Sequence, residues 1–397
     1  MYPTLGHFFS ALFGTEILFP LPTYGFLLAT AFFSAFLVMR LELRRKWKAG
    51  LIPASTEKVT IGEPAKPGEL FIYAFFGFLL GFKFLGIIVD YSLFAKDVQH
   101  YILSLEGNLF GGIVVAGIFV YYIYRKRGKE KMSKPVVKEE EVPPQQQAAA
   151  ILLIAAVSGI IGAKIFHQLE NFREFLQDPI GSLFSAGGLT FYGGLIFGVI
   201  AVLWYIRKKN IPPAQMMDVA APAVMLAYGI GRIGCMASGD GCWGIPNTTP
   251  KPEWLAFLPD WMWAFNYPHN VINSGIPIEN CAGHYCHVLA EPVWPTPFYE
   301  SSISILFFAV LMIIRKRIAA PGVLFGIYMM MNGVERFFIE KIRVNNKYSI
   351  SGFEFTQAEV ISVLLFLIGA FIVYWFLKKH KPKKIVQNEI LTEQTEL

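Results

Sequence analysis

The stretch GIGRIGCMASGDGCWG spans residues 229–244 and places Arg232 directly after the apolar run MMDVAAPAVMLAYGIG (216–231). A guanidinium at the end of such a run is costly to bury unless it has a partner or a task. The glycines around it allow another helix backbone or a ligand to come close. The stretch therefore predicts a helix end inside a membrane protein, with an arginine that takes part in function.

The rest of the chain has the composition of a protein that crosses a membrane several times. Charged residues make up 16% of its 397 residues and aromatic residues 15%, and the mean hydropathy is +0.46. Runs of about 17–22 apolar residues are long enough to cross a bilayer as helices. Because a bilayer favours helices, we expect an all-α polytopic membrane protein with about nine transmembrane helices. The expected spans are 22–39, 70–89, 107–124, 148–166, 189–206, 214–232, 298–314, 320–338 and 357–377.

Basic clusters follow every odd-numbered span, at 40–48, 125–129, 207–209, 315–317 and 378–384. By the positive-inside rule these ends are cytoplasmic, so the N-terminus is outside and the C-terminus is inside. The net charge of +6 then reflects topology and attraction to anionic lipid headgroups, and we expect no nucleic acid partner. No cleavable signal peptide is predicted, because the first apolar run lacks a basic segment before it.

Spans two and three form a hairpin that enters and leaves on the cytoplasmic side of the predicted topology. Residues 125–147 are charged and then rich in Pro and Gln, which predicts a mobile cytoplasmic linker. The predicted segments are the first core span (1–48), the hairpin and linker (49–147), the membrane core (148–380) with an outer loop (245–297), and a polar tail (381–397).

A second group of polar residues follows the sequence MMNGVERFFIEKIRVNN near the end of the eighth span. Spacings of four, four and three place Asn332, Arg336, Glu340 and Arg343 on one helix face. A structural ion pair between Arg336 and Glu340 is one explanation. The other is that two arginines and one carboxylate leave positive charge for an anion such as phosphate, which a guanidinium binds well. For Arg232 the alternative is likewise a structural pair with a buried carboxylate.

Further polar side chains are expected at the outer ends of other spans. The tyrosines could belong to the aromatic belt at the membrane interface, and His167 could be an ordinary helix-end residue. Taken together with the arginines, they favour a pocket for an anionic lipid headgroup at the outer face. These residues are Tyr24 in PLPTYGF (20–26), His167, Glu170, Tyr192 in GGLTFYGGL (187–195), Asp240, and Tyr299 and Glu300 in PTPFYES (295–301).

All cysteines are predicted on the outer side, where disulfides persist. They are Cys235, Cys242, Cys281 and Cys286. A disulfide between Cys281 and Cys286, or between Cys242 and one of them, would cross-link the outer loop. Free thiols remain an alternative. The interleaved histidines of NCAGHYCH (280–287) also allow a metal, although no second ligand pair of firm spacing follows.

Several motifs together resemble the phosphatidylglycerol–prolipoprotein diacylglyceryl transferase family. The family signature G-R-x-G-N-F-x-N-G-E-x-W-G is similar to GRIGCMASGDGCWG, with one extra residue before Trp243. The other similar motifs are TYG (23–25), GAKIFHQLE (162–170), WPTPFYE (294–300) and RFFIEKIR (336–343), with Asp218 ahead of the signature. They occur in the family's order and cover most of 16–48 and 148–380. Compared with the family, spans two and three with their linker resemble a two-helix hairpin inserted into a seven-span core. Because the hairpin enters and leaves on the cytoplasmic side, it can be added without inverting the core.

The resemblance implies transfer of a diacylglyceryl group from phosphatidylglycerol to the lipobox cysteine of prolipoproteins. The expected location is the outer leaflet of the bacterial inner membrane. The expected partners are phosphatidylglycerol, prolipoprotein signal peptides with a lipobox cysteine, and membrane lipid, with no cofactor and no metal. The implied catalytic residues are Tyr192, Arg232, Arg336 and Glu340, and the implied substrate-binding residues are Tyr24, Cys235, Asp240, Gly244, Tyr299, Glu300 and Arg343.

The chain departs from the family pattern at three positions that bear on chemistry. Tyr192 stands where the family has a histidine, Cys235 replaces the signature asparagine, and Asp240 replaces the signature glutamate. A tyrosine with a reference pKa of about 10 is a poor general base at neutral pH. An alternative is therefore a catalytically altered relative that binds anionic lipid or transfers it to another acceptor.

Overall fold

The computed structural model of the chain describes residues 1–380 except 18, 97, 133–134, 185–187, 282, 346 and 351–352. The predicted polar tail, 381–397, lies outside the described residues. The helices are α1 (Leu5–Phe13), α2 (Thr23–Lys48), α3 (Pro67–Val89), α4 (Tyr91–Lys96), α5 (Val98–Leu103), α6 (Leu109–Glu130), α7 (Ala148–Glu170), α8 (Phe172–Gln177), α9 (Pro179–Phe184), α10 (Phe191–Lys208), α11 (Pro213–Ser238), α12 (Thr296–Ile314), α13 (Val323–Glu340) and α14 (Gln357–Lys379). Three antiparallel strand pairs complete the fold: β1 (Ser55–Ile61) with β2 (Val136–Val142), β3 (Ile276–Pro277) with β4 (His287–Val288), and β5 (Lys347–Ile350) with β6 (Phe353–Thr356).

The prediction of a helical polytopic membrane protein is confirmed. Among the described residues, eight helices are long and apolar enough to cross a membrane: α2, α3, α6, α7 with the turn before it, α10, α11, α12 and α14. The remaining predicted span, 320–338, is present as the helix α13. Its 18 residues include Glu335, Arg336 and Glu340, which set it apart from the eight apolar helices. A buried, charge-bearing helix in such a bundle usually serves a function.

Closely packed glycines explain how neighbouring helices pair. A Cβ atom on Gly81 of α3 would lie 2.2 Å from the carbonyl oxygen of Gly111 in α6. On α7, a Cβ atom at Gly162 would lie 2.4 Å from the carbonyl oxygen of Gly193 in α10. Small residues at such contacts let backbones approach and strengthen helix association in lipid. The glycine after Tyr192 is therefore required by helix packing.

Helix α11 is the centre of the bundle and packs against α2, α12 and α13. In its most apolar window 44% of the residues are buried, against 33% or less in the other seven candidate spans. Val219, Ala221 and Ala223 are fully buried. Because α11 is surrounded on several sides, charged residues at its two ends, Asp218 and Arg232, have partners on neighbouring helices.

The inserted segment is more ordered than its composition predicts. Helices α3 and α6 pack chiefly on each other. Strand β2 pairs with β1 in a register that runs from Ser55 opposite Val142 to Ile61 opposite Val136. The end of α6 and strand β2 thus occupy residues for which the composition predicts a mobile linker. The partner strand lies about 80 residues earlier in the sequence, so the composition of residues 136–142 does not reveal that they form a strand.

The bundle has two ends that differ in character. The loop end carries residues 239–295, between α11 and α12, and the basic end carries the positive clusters that close α2, α6, α10, α12 and α14. The N-terminus lies at the loop end, where the Met1 amino group donates a hydrogen bond to the carbonyl of Pro268 at 2.7 Å. Within the loop, Cys281 and Cys286 form a disulfide, whereas Cys235 and Cys242 are free thiols.

Candidate active site at the loop end

Three arginines from two segments converge on one carboxylate at the loop end. Glu300, in the first turns of α12, has no solvent-exposed surface. Its Oε1 accepts a hydrogen bond from Arg343 Nη1 at 3.2 Å and lies 3.6 Å from Arg336 Nη1. Its Oε2 lies 3.0 Å from Arg232 Nε, at the end of α11, without the alignment of a hydrogen bond. We call Arg232, Arg336 and Arg343 the arginine cluster.

A second carboxylate pairs with the arginine cluster along α13. Arg336 Nη2 lies 2.7 Å from Glu340 Oε2, four residues further along the helix. The Glu340 Oε1 atom accepts a hydrogen bond from the side-chain amide of Asn345. The structural ion pair considered for Arg336 and Glu340 is thus present. Asn332, predicted on the same face, donates instead to the carbonyl of Tyr328 in its own helix.

The charges of this site are arranged in two levels. The carboxylates of Glu300 and Glu340 are fully buried, whereas the side chains of Arg232, Arg336 and Arg343 are 16%, 26% and 19% exposed. The carboxylates thus hold the guanidinium groups from the buried side, and part of each arginine side chain remains exposed. A planar guanidinium with free donors binds a phosphate or carboxylate in a bidentate manner.

Glu335 is a buried carboxylate that the sequence interpretation missed. It precedes Arg336 on α13, is 4% exposed, and its Oε1 has no hydrogen-bond partner. With Glu300 and Glu340 it makes three glutamates beside three arginines, so the formal charges of the site balance. The predicted excess of positive charge considered two arginines and one carboxylate and left out the other residues. A third ionisable residue in one span was the available signal in the sequence.

Arg232 is held by aromatic and sulfur groups as well as by Glu300. Its guanidinium carbon lies 5.1 Å from the ring centre of Tyr228, one turn earlier, which is a cation–π distance. Its Nη1 lies 4.0 Å from Cys235 Sγ. A Cβ atom on Gly234 would lie 3.2 Å from the ring of Tyr24, so the ring of Tyr24 packs over α11 there. Tyr24 and Cys235 therefore lie next to Arg232 and its helix.

The chain turns back on itself directly after α11. Gly239 ends the helix with φ 67°, and Gly241 follows with φ 90°, conformations that favour glycine. This turn brings Asp240 and Cys242 back to Cys235. One carboxylate oxygen and the two sulfurs all lie within 4.8 Å of one another. We call these three residues the thiol cluster; it is a set of ligands that could hold a cation.

Gly244 positions one of the arginines. It forms an isolated antiparallel bridge with Arg343, and Ile245 donates a hydrogen bond to the carbonyl of Ile342 at 2.9 Å. A Cβ atom at Gly244 would lie 2.3 Å from that same carbonyl oxygen. Any side chain here would push the backbone of Arg343 away, so this glycine acts by allowing a close approach.

Two predicted tyrosines lie apart from the arginine cluster. The Tyr299 hydroxyl donates to the carbonyl of Met262 at 2.6 Å, and its ring lines an apolar cavity of about 260 Å³ in the loop. Tyr192 is 43% exposed on α10, a helix that packs mainly on α7, and its ring contacts Phe191 edge-on. Among the described residues, no hydrogen bond or ion pair joins Tyr192 to the arginine cluster.

Two further residues have local structural contacts. The ring of His167 packs against Gly188, where an added Cβ would come within 2.5 Å, and its Nδ1 lies 3.2 Å from the Asn171 amide nitrogen. Asp218 lies 14 residues before Arg232 on α11, about 21 Å away along the helix axis. It accepts hydrogen bonds from the backbone N–H groups of Gly322 and Phe325 at the start of α13.

The fold and the site together define a class: a polytopic helical membrane protein with a cluster of arginines and buried carboxylates at one end of its bundle. Comparison with protein families matches residues 108–375 to the family described as prolipoprotein diacylglyceryl transferase. The chain belongs to this family. The resemblance seen in the sequence is thereby confirmed.

Individual relatives are phosphatidylglycerol–prolipoprotein diacylglyceryl transferases. The chain is 30% identical over 225 residues to the protein of Leptospira interrogans, a match of 50% of this chain and 62% of the relative. It is 31% identical over 272 residues to the protein of Corynebacterium glutamicum, covering 67% and 78%. A Clostridium botulinum relative is 31% identical over 226 residues, covering 56% and 78%.

Proposed function

We propose that this protein transfers a diacylglyceryl group from phosphatidylglycerol to the lipobox cysteine of prolipoproteins. The single observation that carries the proposal is the arginine cluster, which is held by buried Glu300 while its three side chains stay 16–26% exposed. A membrane-embedded site of this kind suits a phosphate in a lipid headgroup. Family membership supports the same reaction and the same partners: phosphatidylglycerol, prolipoprotein signal peptides and membrane lipid.

The reaction makes a thioether and releases a phosphate ester. The acceptor sulfur attacks the glyceryl carbon and a C–S bond forms. The bond between that carbon and the oxygen of the phosphate ester breaks, and glycerol phosphate leaves with the electron pair. Negative charge grows on the leaving phosphate, and preorganised positive donors stabilise such charge most effectively where water is excluded. Arg232 and Arg336, which lie on either side of Glu300, would supply these donors.

Purified protein in phosphatidylglycerol vesicles, supplied with a synthetic lipobox peptide, tests this function. We expect the peptide mass to increase by one diacylglyceryl group, and a matched peptide with serine in place of the cysteine to remain unmodified. Complementation of cells depleted of their own transferase should restore lipoprotein mass. Binding of phosphatidylglycerol without any peptide product would contradict transfer and favour a lipid-binding relative.

We also propose that the loop end faces outward from a bacterial inner membrane, with the N-terminus outside and the C-terminus in the cytoplasm. Support comes from the basic clusters, since positive charge is retained on the cytoplasmic side. Single cysteines introduced at 130 and 390 should resist a membrane-impermeant thiol reagent in intact cells. A cysteine at exposed position 253 in the loop should react. The parent chain gives the background from native thiols, and labelling at 130 would contradict this topology.

The hairpin of α3 and α6 is proposed to be an insertion into a seven-span core. The support is its packing, which is mainly internal, and its return to the basic end through the β1–β2 ladder. A chain in which a short polar linker replaces residues 64–132 should still fold and transfer lipid. Loss of all folded protein on this deletion would instead assign the hairpin to the core.

A further inference from the structure

The departures from the family signature fall in one place in the structure. Cys235 stands for the signature asparagine, Asp240 stands for the signature glutamate, and Cys242 is the extra residue before Trp243. In the sequence they are spread over eight positions. In the fold the turn at Gly239 and Gly241 brings their ligand atoms within 4.8 Å of one another. Two replaced residues and one extra residue thus form one cluster.

We propose that the thiol cluster binds a thiophilic divalent cation of the Zn²⁺ type and that the acceptor thiol takes its open coordination position. The role of the acceptor thiol rests on the proposed function. The binding of the cation does not, because it can be tested without any transfer. The ligand atoms are two sulfurs and one carboxylate oxygen, a set that Zn²⁺ prefers. Three protein ligands with one open position are typical of catalytic zinc sites, whereas structural sites usually have four.

The geometry is close to what a tetrahedral site requires. With Zn–S distances of about 2.3 Å and a Zn–O distance of about 2.0 Å, ligand atoms in a tetrahedron lie about 3.4–3.8 Å apart. The present separations, all within 4.8 Å, need only small side-chain movements to reach that arrangement. Two contacts hold the turn in place: the Asp240 carboxylate accepts a hydrogen bond from the Cys242 backbone N–H at 3.1 Å, and the Thr296 hydroxyl donates to the Cys242 carbonyl at 2.8 Å.

Charge around the cluster is balanced when a dication is bound. Two thiolates and one carboxylate carry three negative charges, and Zn²⁺ leaves one. Arg232 Nη1 lies 4.0 Å from Cys235 Sγ, so its positive charge neutralises the remainder. Cys235 is buried while Asp240 and Cys242 are half-buried, so one side of the cluster is accessible. The same arginine contacts Glu300, so the thiol cluster lies beside the arginine cluster.

A cation here would supply a way to activate the acceptor thiol. Tyr192 replaces the family histidine, and it makes no described contact with the arginine cluster. A thiol that coordinates Zn²⁺ gives up its proton to water without a side-chain base. The bound sulfur then attacks the glyceryl carbon, the C–S bond forms, the C–O bond to phosphate breaks, and glycerol phosphate leaves with the electron pair. The cation keeps its oxidation state throughout.

The first experiment measures binding alone. Full-length protein in detergent is reduced, freed of metal with a chelator, and titrated with Co²⁺. We expect one Co²⁺ per chain, a thiolate-to-cobalt charge-transfer absorption, and displacement by Zn²⁺. Cys235→Ser and Cys242→Ser should each weaken binding by at least about tenfold. The matched control is Cys281→Ser with Cys286→Ser, which removes the disulfide in the loop and should leave the cobalt spectrum unchanged.

Two results of this experiment would overturn the cation site. One is the absence of thiolate-to-cobalt absorption in reduced protein. The other is a disulfide between Cys235 and Cys242 in protein alkylated directly in cells, because these thiols would then not be available as ligands. Asp240→Asn provides a further check, since it should lower Co²⁺ affinity while keeping both sulfurs in the spectrum.

The second experiment separates this inference from the proposed function. Treatment with a chelator should lower the transfer rate at least about tenfold, and Zn²⁺ should restore it, while binding of phosphatidylglycerol stays unchanged. Full transfer by metal-free protein would overturn the role in thiol activation and leave the reaction standing. Cation binding in a protein that shows no transfer at all under any condition would overturn the proposed function and, with it, the acceptor position, but not the cation site.

Discussion

The two ends of α11 both bring charges into the bundle, but they use them differently. At the basic end, Asp218 and Lys46 have side chains only 4% and 5% exposed. Both carboxylate oxygens of Asp218 accept hydrogen bonds, from Lys46 and from two backbone N–H groups of the α12–α13 turn and α13. Lys46 also donates to Gln215 at 2.5 Å. This pair is closed to solvent and its acceptors are satisfied.

At the loop end, the carboxylates are as buried but the cations are not. The guanidinium side chains are 16–26% exposed, and the Glu300 Oε2, Glu335 Oε1 and Glu340 Oε2 atoms lack an aligned hydrogen-bond donor. Buried polar atoms are nearly always hydrogen-bonded, so several exceptions in one place call for an explanation. Exposure alone does not separate the two ends, because Arg315, which pairs with buried Glu42 at the basic end, is also 16% exposed. The difference lies in the carboxylate oxygens, which are satisfied at Asp218 and lack aligned donors at the loop end.

The strongest test of this contrast replaces one carboxylate at each end. Glu300→Gln leaves three arginines without their shared counter-ion, and removing one partner of a buried pair costs about 3–5 kcal/mol. We expect transfer to fall by more than about 100-fold. Asp218→Asn should lower the yield and the Tm in detergent, while the folded fraction keeps its rate within a few fold. Rates per folded molecule and Tm values measure both effects.

The outcome that would remove the contrast is also clear. Equal loss of transfer per folded molecule in Glu300→Gln and Asp218→Asn would mean that both ends act through stability. A Glu300→Gln variant with normal transfer would show that the arginine cluster does not need its buried counter-ion.

The second test keeps every charge and changes only its shape. Arg232→Lys and Arg336→Lys should each reduce transfer by about ten- to a hundredfold, because an ammonium cannot make two parallel hydrogen bonds to a phosphate. This corresponds to about 1.5–3 kcal/mol for a charged hydrogen bond felt in the transition state. The matched control is Arg315→Lys at the basic end, where the arginine pairs with buried Glu42.

Arg315→Lys should retain most of its transfer activity. Normal lipidation by both lysine variants at the loop end would leave the arginine cluster without a role in binding phosphate. A loss in Arg315→Lys as large as in Arg232→Lys would likewise count against a division of labour between the two ends.

The helices were predictable from sequence because a bilayer leaves the backbone few choices. The predicted spans and the observed helices agree within a few residues at most apolar boundaries. For example, the predicted span 189–206 corresponds to the observed helix α10 at 191–208. Helices extend past the predicted spans where charged residues continue the last turn, as in α2, which runs to Lys48. Hydropathy detects the apolar part of a helix and ignores its polar ends.

Contacts between distant segments were less predictable. The β1–β2 ladder joins strands about 80 residues apart, and nothing local in 136–142 distinguishes a strand from a charged linker. The cluster of Cys235, Asp240 and Cys242 depends on two successive glycine turns, which spacing alone does not reveal. By contrast, the pair of Arg336 and Glu340 follows directly from helical spacing, because four residues make about one turn.

A smaller effect is expected at Tyr192, the position that departs from the family histidine. Its ring is 43% exposed and its helix packs mainly on α7. We expect Tyr192→Phe to lower the transfer rate by less than about tenfold, since at most one hydrogen bond is lost. Tyr192→His tests whether an imidazole at this position raises the rate. A Tyr192→Phe loss as large as that of Arg232→Lys would place its hydroxyl among the catalytic groups.

The smallest effect is expected at the basic end, where an ion pair fastens the β1–β2 ladder to α10. Lys209 Nζ lies 2.6 Å from Glu57 Oε1, which also accepts a hydrogen bond from the Gln147 amide at 2.9 Å. The hydrogen bond from Lys209 holds the pKa of the Glu57 carboxyl below its usual range. A depressed folded pKa gives stability that is present above the unfolded pKa of about 4.3 and is lost as pH falls through the folded value. For a partly exposed pair the contribution is about 0.2–1 kcal/mol.

At neutral pH, Glu57→Gln should therefore lower the Tm slightly, and the difference from the parent chain should vanish in acid. The transfer rate should not change, because the pair lies at the opposite end of the bundle from the arginine cluster. A Tm difference that persists or grows in acid would assign the effect of this substitution to packing, and a loss of transfer would connect the ladder to the site.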